Sequence, residues 1–378
     1  MCLDISINSI QVQKLAATFS TYSSIRPSTY FHLDKSFGGK TGSVEKQKAR
    51  NRHYVNVLIK SQVHQNDPQG LIAMFAAFMV KIAFDPIYAH PLPENHRFPM
   101  LKYELIPQQL LHEGTCTSDH FFKPSACQHE VVLDTHDVSY FNRLIAQQLS
   151  PSEQRKIGFP QSPELVKREL VITQGTIDIA LHALNHGVGL NVAGGTHHAF
   201  AERGEGFCLL NDMAVAANFL LKNKHCRKIL IIDLDVHQGN GTAKLMENNP
   251  QVFTFSMHGR TNYPFHKERS DLDIELENGT TGETYLALLT EHLPKVIDSF
   301  KPDFTFYLAG VDILNTDKFG RLEVSLADCK QRDEFVFKTL KNLEIPVAVA
   351  LGGGYSPDIN VIVEAHCNTF RWAMDLFD

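Results

Sequence analysis

The chain has 378 residues, with 43% hydrophobic and 21% charged side chains and a formal net charge of −6. That is ordinary globular composition, long enough for one large α/β domain or two smaller ones. Residues 1–78 carry nine Lys/Arg and four Asp/Glu, a net of +5, which leaves −11 for residues 79–378. A body of that sign excludes holding nucleic acid by general electrostatic attraction.

Residues 1–78 are Ser/Thr-rich in places, contain the basic cluster "EKQKARNRHYVNVLIK", and lack strand alternation. They read as an N-terminal extension, either a targeting leader or a poorly ordered segment, ahead of a domain spanning 79–378. The longest apolar stretch, "GLIAMFAAFMVKIAF", is interrupted by Lys81 and falls short of the ~20 residues of a membrane span, so no transmembrane helix is expected. Seven scattered cysteines without a Cys-x-x-Cys pair favour a reducing, cytoplasmic setting over a disulfide framework.

From Met79 onward, short apolar runs alternate with longer helical patterns. The expected strands are "VKIAF", "EVVLD", "GLNVAG", "KILIID", "VFTFSM", "FTFYLAG" and "IPVAVALGG". Helical periodicity lies near 163–186, 209–222, 281–299 and 326–342, and "DINVIVEAHCNTFRWAMDLF" closes the chain as an amphipathic helix. This alternation predicts a mainly parallel sheet covered by helices on both faces, with the functional site beyond the carboxyl ends of the strands.

Four such ends carry polar chemistry: Thr196, His197 and His198; Asp233, Asp235 and His237; Asp312; and the "GGGY" run ending at Tyr355. If the strand continued, Asp233, Asp235 and His237 would project one way and Leu234 and Val236 the other. Asp235, His237 and Asp312 supply three ligands of the kind that hold zinc while leaving a position open for water and substrate. Two adjacent histidines offer a proton acceptor and donor, and a phenol on a Gly-rich loop can donate to a developing oxyanion. Together these outline metal-assisted amide hydrolysis.

In order, "GGTHHAF", "GEGFCLLND", "IDLDVHQGNGT", "LAGVDIL" and "GGGY" resemble the zinc-dependent histone deacetylase family, whose arginase-deacetylase fold is a single α/β domain. The match runs from about Met79 to the C-terminus. "HPLPENHRFPMLKYELI" resembles bacterial deacetylase-like members, while "DTHDVSYFNRL", "DKFGRLEVS" and "QRDEFVF" resemble class IV. The resemblance implies that Asp235, His237 and Asp312 bind Zn2+, that His198 is general base and acid, and that His197 holds and polarises water and substrate. Tyr355 would then stabilise the oxyanion, Asp233 would orient His197, and Asn240 would partner His198. Gly206 and Phe207 would line the acyl-lysine tunnel. Asp233, Asp235, His237, Ser256 and Met257 would be candidates for a structural K+ site. The implied substrate is an acylated lysine on a peptide or protein, and the class IV resemblance also raises long-chain fatty-acyl-lysine. Acetylpolyamines or other small acylated amines are the alternative, and a non-catalytic acyl-lysine binding protein is the reading from another class. Oligomeric state is not readable.

Asn240 departs from the class I pattern, in which an aspartate partners the second histidine. A neutral amide fixes the ring's tautomer but stabilises imidazolium less than a carboxylate does. The arginase relatives place additional bridging carboxylates around two metals; Gln238 and Gly239 follow His237 here, so a mononuclear site fits better. The segment 112–129 holds His112, Cys116, His120, Cys127 and His129, but at spacings unlike structural zinc sites, and is expected to be a loop near the tunnel mouth. Cys208 is expected to be a small buried residue.

Overall fold

The structure is a computed structural model that describes residues 79–378. The N-terminal extension, 1–78, lies outside the described residues. Eight strands form one sheet: β1 (Lys81–Ala83), β2 (Phe121–Phe122), β3 (Val188–Asn191), β4 (Ile229–Asp233), β5 (Val252–Gly259), β6 (Leu272–Leu276), β7 (Phe304–Leu308) and β8 (Val347–Ala350). Their order is β2-β1-β3-β8-β7-β4-β5-β6, and every pairing is parallel.

All residues of β3, β4, β7 and β8 are buried, so both faces of the sheet centre are covered. This explains why their sequences are continuous apolar runs rather than alternating ones. Helices supply the cover. The helix Pro163–His186 starts where Ser162 accepts a hydrogen bond from the Leu165 N–H at 3.0 Å, has Pro163 at its first position, and stops at Gly187. The helices Asp212–Lys222, Gly282–Phe300, Leu326–Asn342 and Ile359–Phe377 match the periodic segments closely. This is the single-domain α/β arrangement of the arginase-deacetylase fold.

"EVVLD" is not a strand. Residues His129–Leu133 form a short helix in which the Val131 and Val132 N–H groups donate to the Gln128 carbonyl. A run of three apolar residues cannot by itself distinguish a strand from one helical turn, and only Val132 of this run is buried. Sequence periodicity also missed β6, "LDIEL", whose acidic residues mark a solvated sheet edge. The helix Lys102–His112 was hidden by Pro107 inside it, although Tyr103, Ile106, Pro107 and Leu110 form a buried stripe.

Candidate active site

Strand β4 ends at Asp233, so Asp235 and His237 lie in the descending loop rather than in an extended strand. The in–out pattern survives without the strand. Leu234 and Val236 point into the core, while carboxylates clamp the backbone from the other side. The Asp235 N–H donates to Asp233 at 3.2 Å, the His237 N–H to Asp235 at 2.9 Å, and the Val236 N–H to Asp312 at 2.9 Å. Asp312 itself arrives from the loop after β7.

Asp235, His237 and Asp312 converge, one donor atom from each lying within 4.8 Å of the others. His237 Nδ1 stands 3.0 Å from both Asp235 Oδ1 and Asp312 Oδ2. The Gly353 N–H donates to the second Asp235 oxygen at 2.7 Å. A Cβ on Gly353 would fall 2.0 Å from Asp312 Oδ2, so only glycine lets the "GGGY" backbone approach this closely.

The charges are crowded. Burial and the neighbouring Asp235 push the Asp312 carboxyl up to about 7. Burial works against a charged His237, yet hydrogen bonds to the two carboxylates outweigh it and hold the ring up at about 10. Two buried carboxylates and an imidazole nitrogen facing both of them are a donor set that fits one divalent cation such as zinc.

The two adjacent histidines sit in opposed environments. His197 Nδ1 donates to Asp233 Oδ2 at 2.7 Å, which turns Nε2 toward Asp235 Oδ1, 3.9 Å away. Burial depresses His197, but Asp233 and Asp235 more than compensate, and its basicity is raised. His198 Nδ1 lies 2.7 Å from Asn240 Oδ1, an oxygen that only accepts, so the ring's proton sits on Nδ1 and Nε2 keeps its lone pair. Burial, then His197 and His237, hold His198 well below the usual imidazole range. Paired titratable groups pushed apart in this way suit separate acid and base roles.

Tyr355 is half-buried, its ring centroid 6.4 Å from that of His237. Burial, with Asp312 and Asp235 nearby, raises its phenol well above 10, so it remains a hydrogen-bond donor. Phe207 and Phe319 pack beside it at 6.0 and 4.9 Å. Gly206 and Phe207 both have positive φ, +53° and +67°, and form a wall beside His198. A Cβ on Gly206 would stand 2.6 Å from the His198 ring.

Several supporting residues escaped the sequence reading. Asp317 accepts from the N–H groups of Phe319, Gly320 and Tyr355, the last at 2.6 Å, and so holds the Tyr355 loop. Asp212 accepts from Gly195 N–H, Thr196 N–H and two threonine hydroxyls, and so holds the "GGTHH" loop. Fully buried Lys102 donates to the Gly352 carbonyl at 2.8 Å, and burial brings its ammonium down to about 8. Asp317 and Asp212 lie inside the quoted motifs, but nothing in the sequence reveals which backbone groups they would meet. Lys102 also lies in a quoted motif, but a lone lysine before a helical stripe usually stays in water, so nothing there signals its burial.

The remaining candidates divide. Ser256 pairs in register with Asp233 across β5 and β4, and Met257 follows it, both buried. The Ser256 hydroxyl is 3.0 Å from His258 Nδ1. The segment 112–129 is not at the mouth. His120 Nε2 meets the carboxylate of Asp378 at 3.2 Å, Cys116 and Cys127 are buried, and no residue of the segment lines either cavity at the site. Cys208 is buried, and burial raises its thiol, so it is not a thiolate.

Two cavities meet at this cluster. The inner one, about 40 Å³, is bounded by Phe98, Tyr103, Arg168 and Ile172 beneath His197, His198 and Tyr355. The outer one, about 380 Å³, opens past Phe207 and Tyr263 to the surface.

Residues 96–370 match the family model described as "Histone deacetylase domain". An uncharacterized protein of Picosynechococcus sp. is 40% identical over 296 residues, covering 78% of this chain and 99% of the relative. Histone deacetylase 2 of Arabidopsis thaliana is 31% identical over 309 residues, covering 79% and 78%. Among solved structures, an HDAC homolog complexed with SAHA superposes with a TM-score of 0.68 at 24% identity, covering 77% of this chain and 83% of that one, a likeness of fold. On the family model and these identities, the chain belongs to the histone deacetylase family.

Proposed function

We propose that residues 79–378 form a zinc-dependent amidohydrolase that removes a short acyl group from acylated lysine. The observation carrying this reading is the convergence of three metal donors beside two histidines of opposed basicity and a protonated phenol, where the two cavities meet. Asp235, His237 and Asp312 would hold the Zn2+. When bound, such an ion supplies Lewis acidity toward a carbonyl and lowers the pKa of water.

The remaining steps belong to the chain. His198, neutral and locked by Asn240, accepts a proton from the attacking water at Nε2 as the new C–O bond forms. It returns that proton to the amine nitrogen as the C–N bond breaks, so acid and free amine leave together. His197, its charge supported by Asp233, donates from Nε2 to the water and the substrate oxygen. Tyr355 donates its phenolic proton in a hydrogen bond to the oxyanion. Gly206 and Phe207 guide the lysine stem. Asp233, Asp235, His237, Ser256 and Met257 remain our candidates for a structural K+ site, since β4 and β5 set Asp233 opposite Ser256, Met257 follows along β5, and Asp235 and His237 lie in the loop that continues β4.

The volume of the inner cavity favours a short chain. About 40 Å³ is room for roughly three water-sized atoms, as many as the heavy atoms of an acetyl group. "DKFGRLEVS" and "QRDEFVF" support kinship with class IV. Unpaired thiols at Cys116, Cys127, Cys208, Cys226, Cys329 and Cys367 favour a reducing compartment, the cytoplasm. Among the described residues no helix is long and apolar enough to cross a membrane.

The test is a panel of acetyl-lysine peptide, myristoyl-lysine peptide and acetylpolyamine, each given to the zinc-loaded protein with release of acid measured. Acetyl-lysine is expected to be the fastest. Faster myristoyl turnover would sink the short-chain reading, preferred acetylpolyamine would favour a small-amine hydrolase, and tight binding without acid release would favour a non-catalytic binder.

A further inference from the structure

The outer cavity is ringed by Arg97, Lys156, Lys318 and Arg321, all exposed. None of the four is in an ion pair among the described residues, and no carboxylate lines this cavity. That is unexpected for a body whose net charge is −11 over residues 79–378. The cations come from three separate segments, so they form a spread rim rather than a point. Arg97 is further held with its guanidinium 5.0 Å above the Phe207 ring, on the tunnel wall itself. Behind that wall, Glu205 is already engaged, accepting from Arg203 at 2.6 Å and from the Tyr263 phenol at 2.8 Å. Phe265, 83% exposed, adds an apolar ledge to the same mouth.

We infer that the mouth selects acyl-lysines embedded in acidic peptide segments, a specificity that rests on the hydrolase reading above. Carboxylates on either side of the lysine would meet the rim cations while the acylated side chain enters between Phe207 and Tyr263. The same field repels polyamines and Arg/Lys-rich tails, because like charges brought together at an interface are disfavoured. A spread rim suits an extended chain with several carboxylates, and its attraction weakens as salt screens it.

Two acetyl-lysine peptides of equal length, one flanked by Asp/Glu and the other by Lys/Arg, decide the matter with the full chain. The acidic peptide is expected to show kcat/KM about 10-fold higher or more at low salt, with the gap closing as salt rises. In the Lys318→Glu/Arg321→Glu variant the preference is expected to collapse or invert, while an uncharged acetyl-lysine substrate is turned over as before. Equal turnover of the two peptides, or preference for the basic one, overturns the inference and leaves the hydrolase reading standing. If neither peptide is hydrolysed, the hydrolase reading fails, and fluorescence anisotropy with labelled forms of both peptides still decides the specificity. Tighter binding of the acidic peptide, lost in the double variant, upholds it; equal binding refutes it.

Discussion

Asn240 sets the chemistry of His198. Its amide oxygen fixes the proton on Nδ1 but brings no full charge, while burial, His197 and His237 all hold the ring in its neutral form. A base works above its own pKa, so a depressed His198 pushes the acidic limb of the pH–rate profile toward low pH. In Asn240→Asp a carboxylate at the same place would raise that pKa and move the limb upward. An unmoved acidic limb of kcat/KM in this variant would show that His198 is not the titrating base. Tyr355→Phe removes only a donor and is expected to lower kcat by ~10²-fold or more while leaving zinc content unchanged. Metal analysis beside the kinetics separates that outcome from a damaged site.

Elements decide where these residues stand. Asp317 ties the loop after β7 to the backbone of Tyr355, so Asp317→Ala should free the phenol's loop and lower kcat more than it raises KM. Unchanged kcat would refute this positioning role. The strand ends were readable because each apolar run of the parallel sheet stops abruptly at polar residues, and an open parallel sheet puts its site there. The strand itself does not continue through Asp235 and His237: β4 ends at Asp233, and side-chain clamps carry the alternation on. "EVVLD" misled because a short β-branched run carries too little local information. Lys102, Asp212 and three of the four rim cations lie inside quoted motifs, yet no pattern tells what they would meet. Most of what they meet, from the Gly352 carbonyl to the Phe207 ring and the Thr176 and Thr261 hydroxyls, is supplied by chain segments distant in sequence.

At the scale of the whole molecule, the loops after β4 and β7 are pulled together over buried like charges, and a divalent ion would relieve that repulsion. Zinc should therefore raise Tm, by about 2.7 kcal/mol of added stability at a hundredfold excess over Kd. Metal competes with protons for these ligands. Because Asp312 is pushed up to about 7, zinc affinity should weaken as pH falls through that value and strengthen above it. A zinc-induced Tm shift that does not depend on pH in this range would contradict the crowded-ligand account. The most direct measurement is product analysis by mass spectrometry, with zinc-loaded protein and an acetyl-lysine peptide, comparing the parent chain with His198→Ala. The account predicts deacetylated peptide and acetate in equal amounts from the parent chain and a loss of ~10²–10⁴-fold in the variant. Undiminished release by His198→Ala, or no release by the zinc-loaded parent, would contradict it.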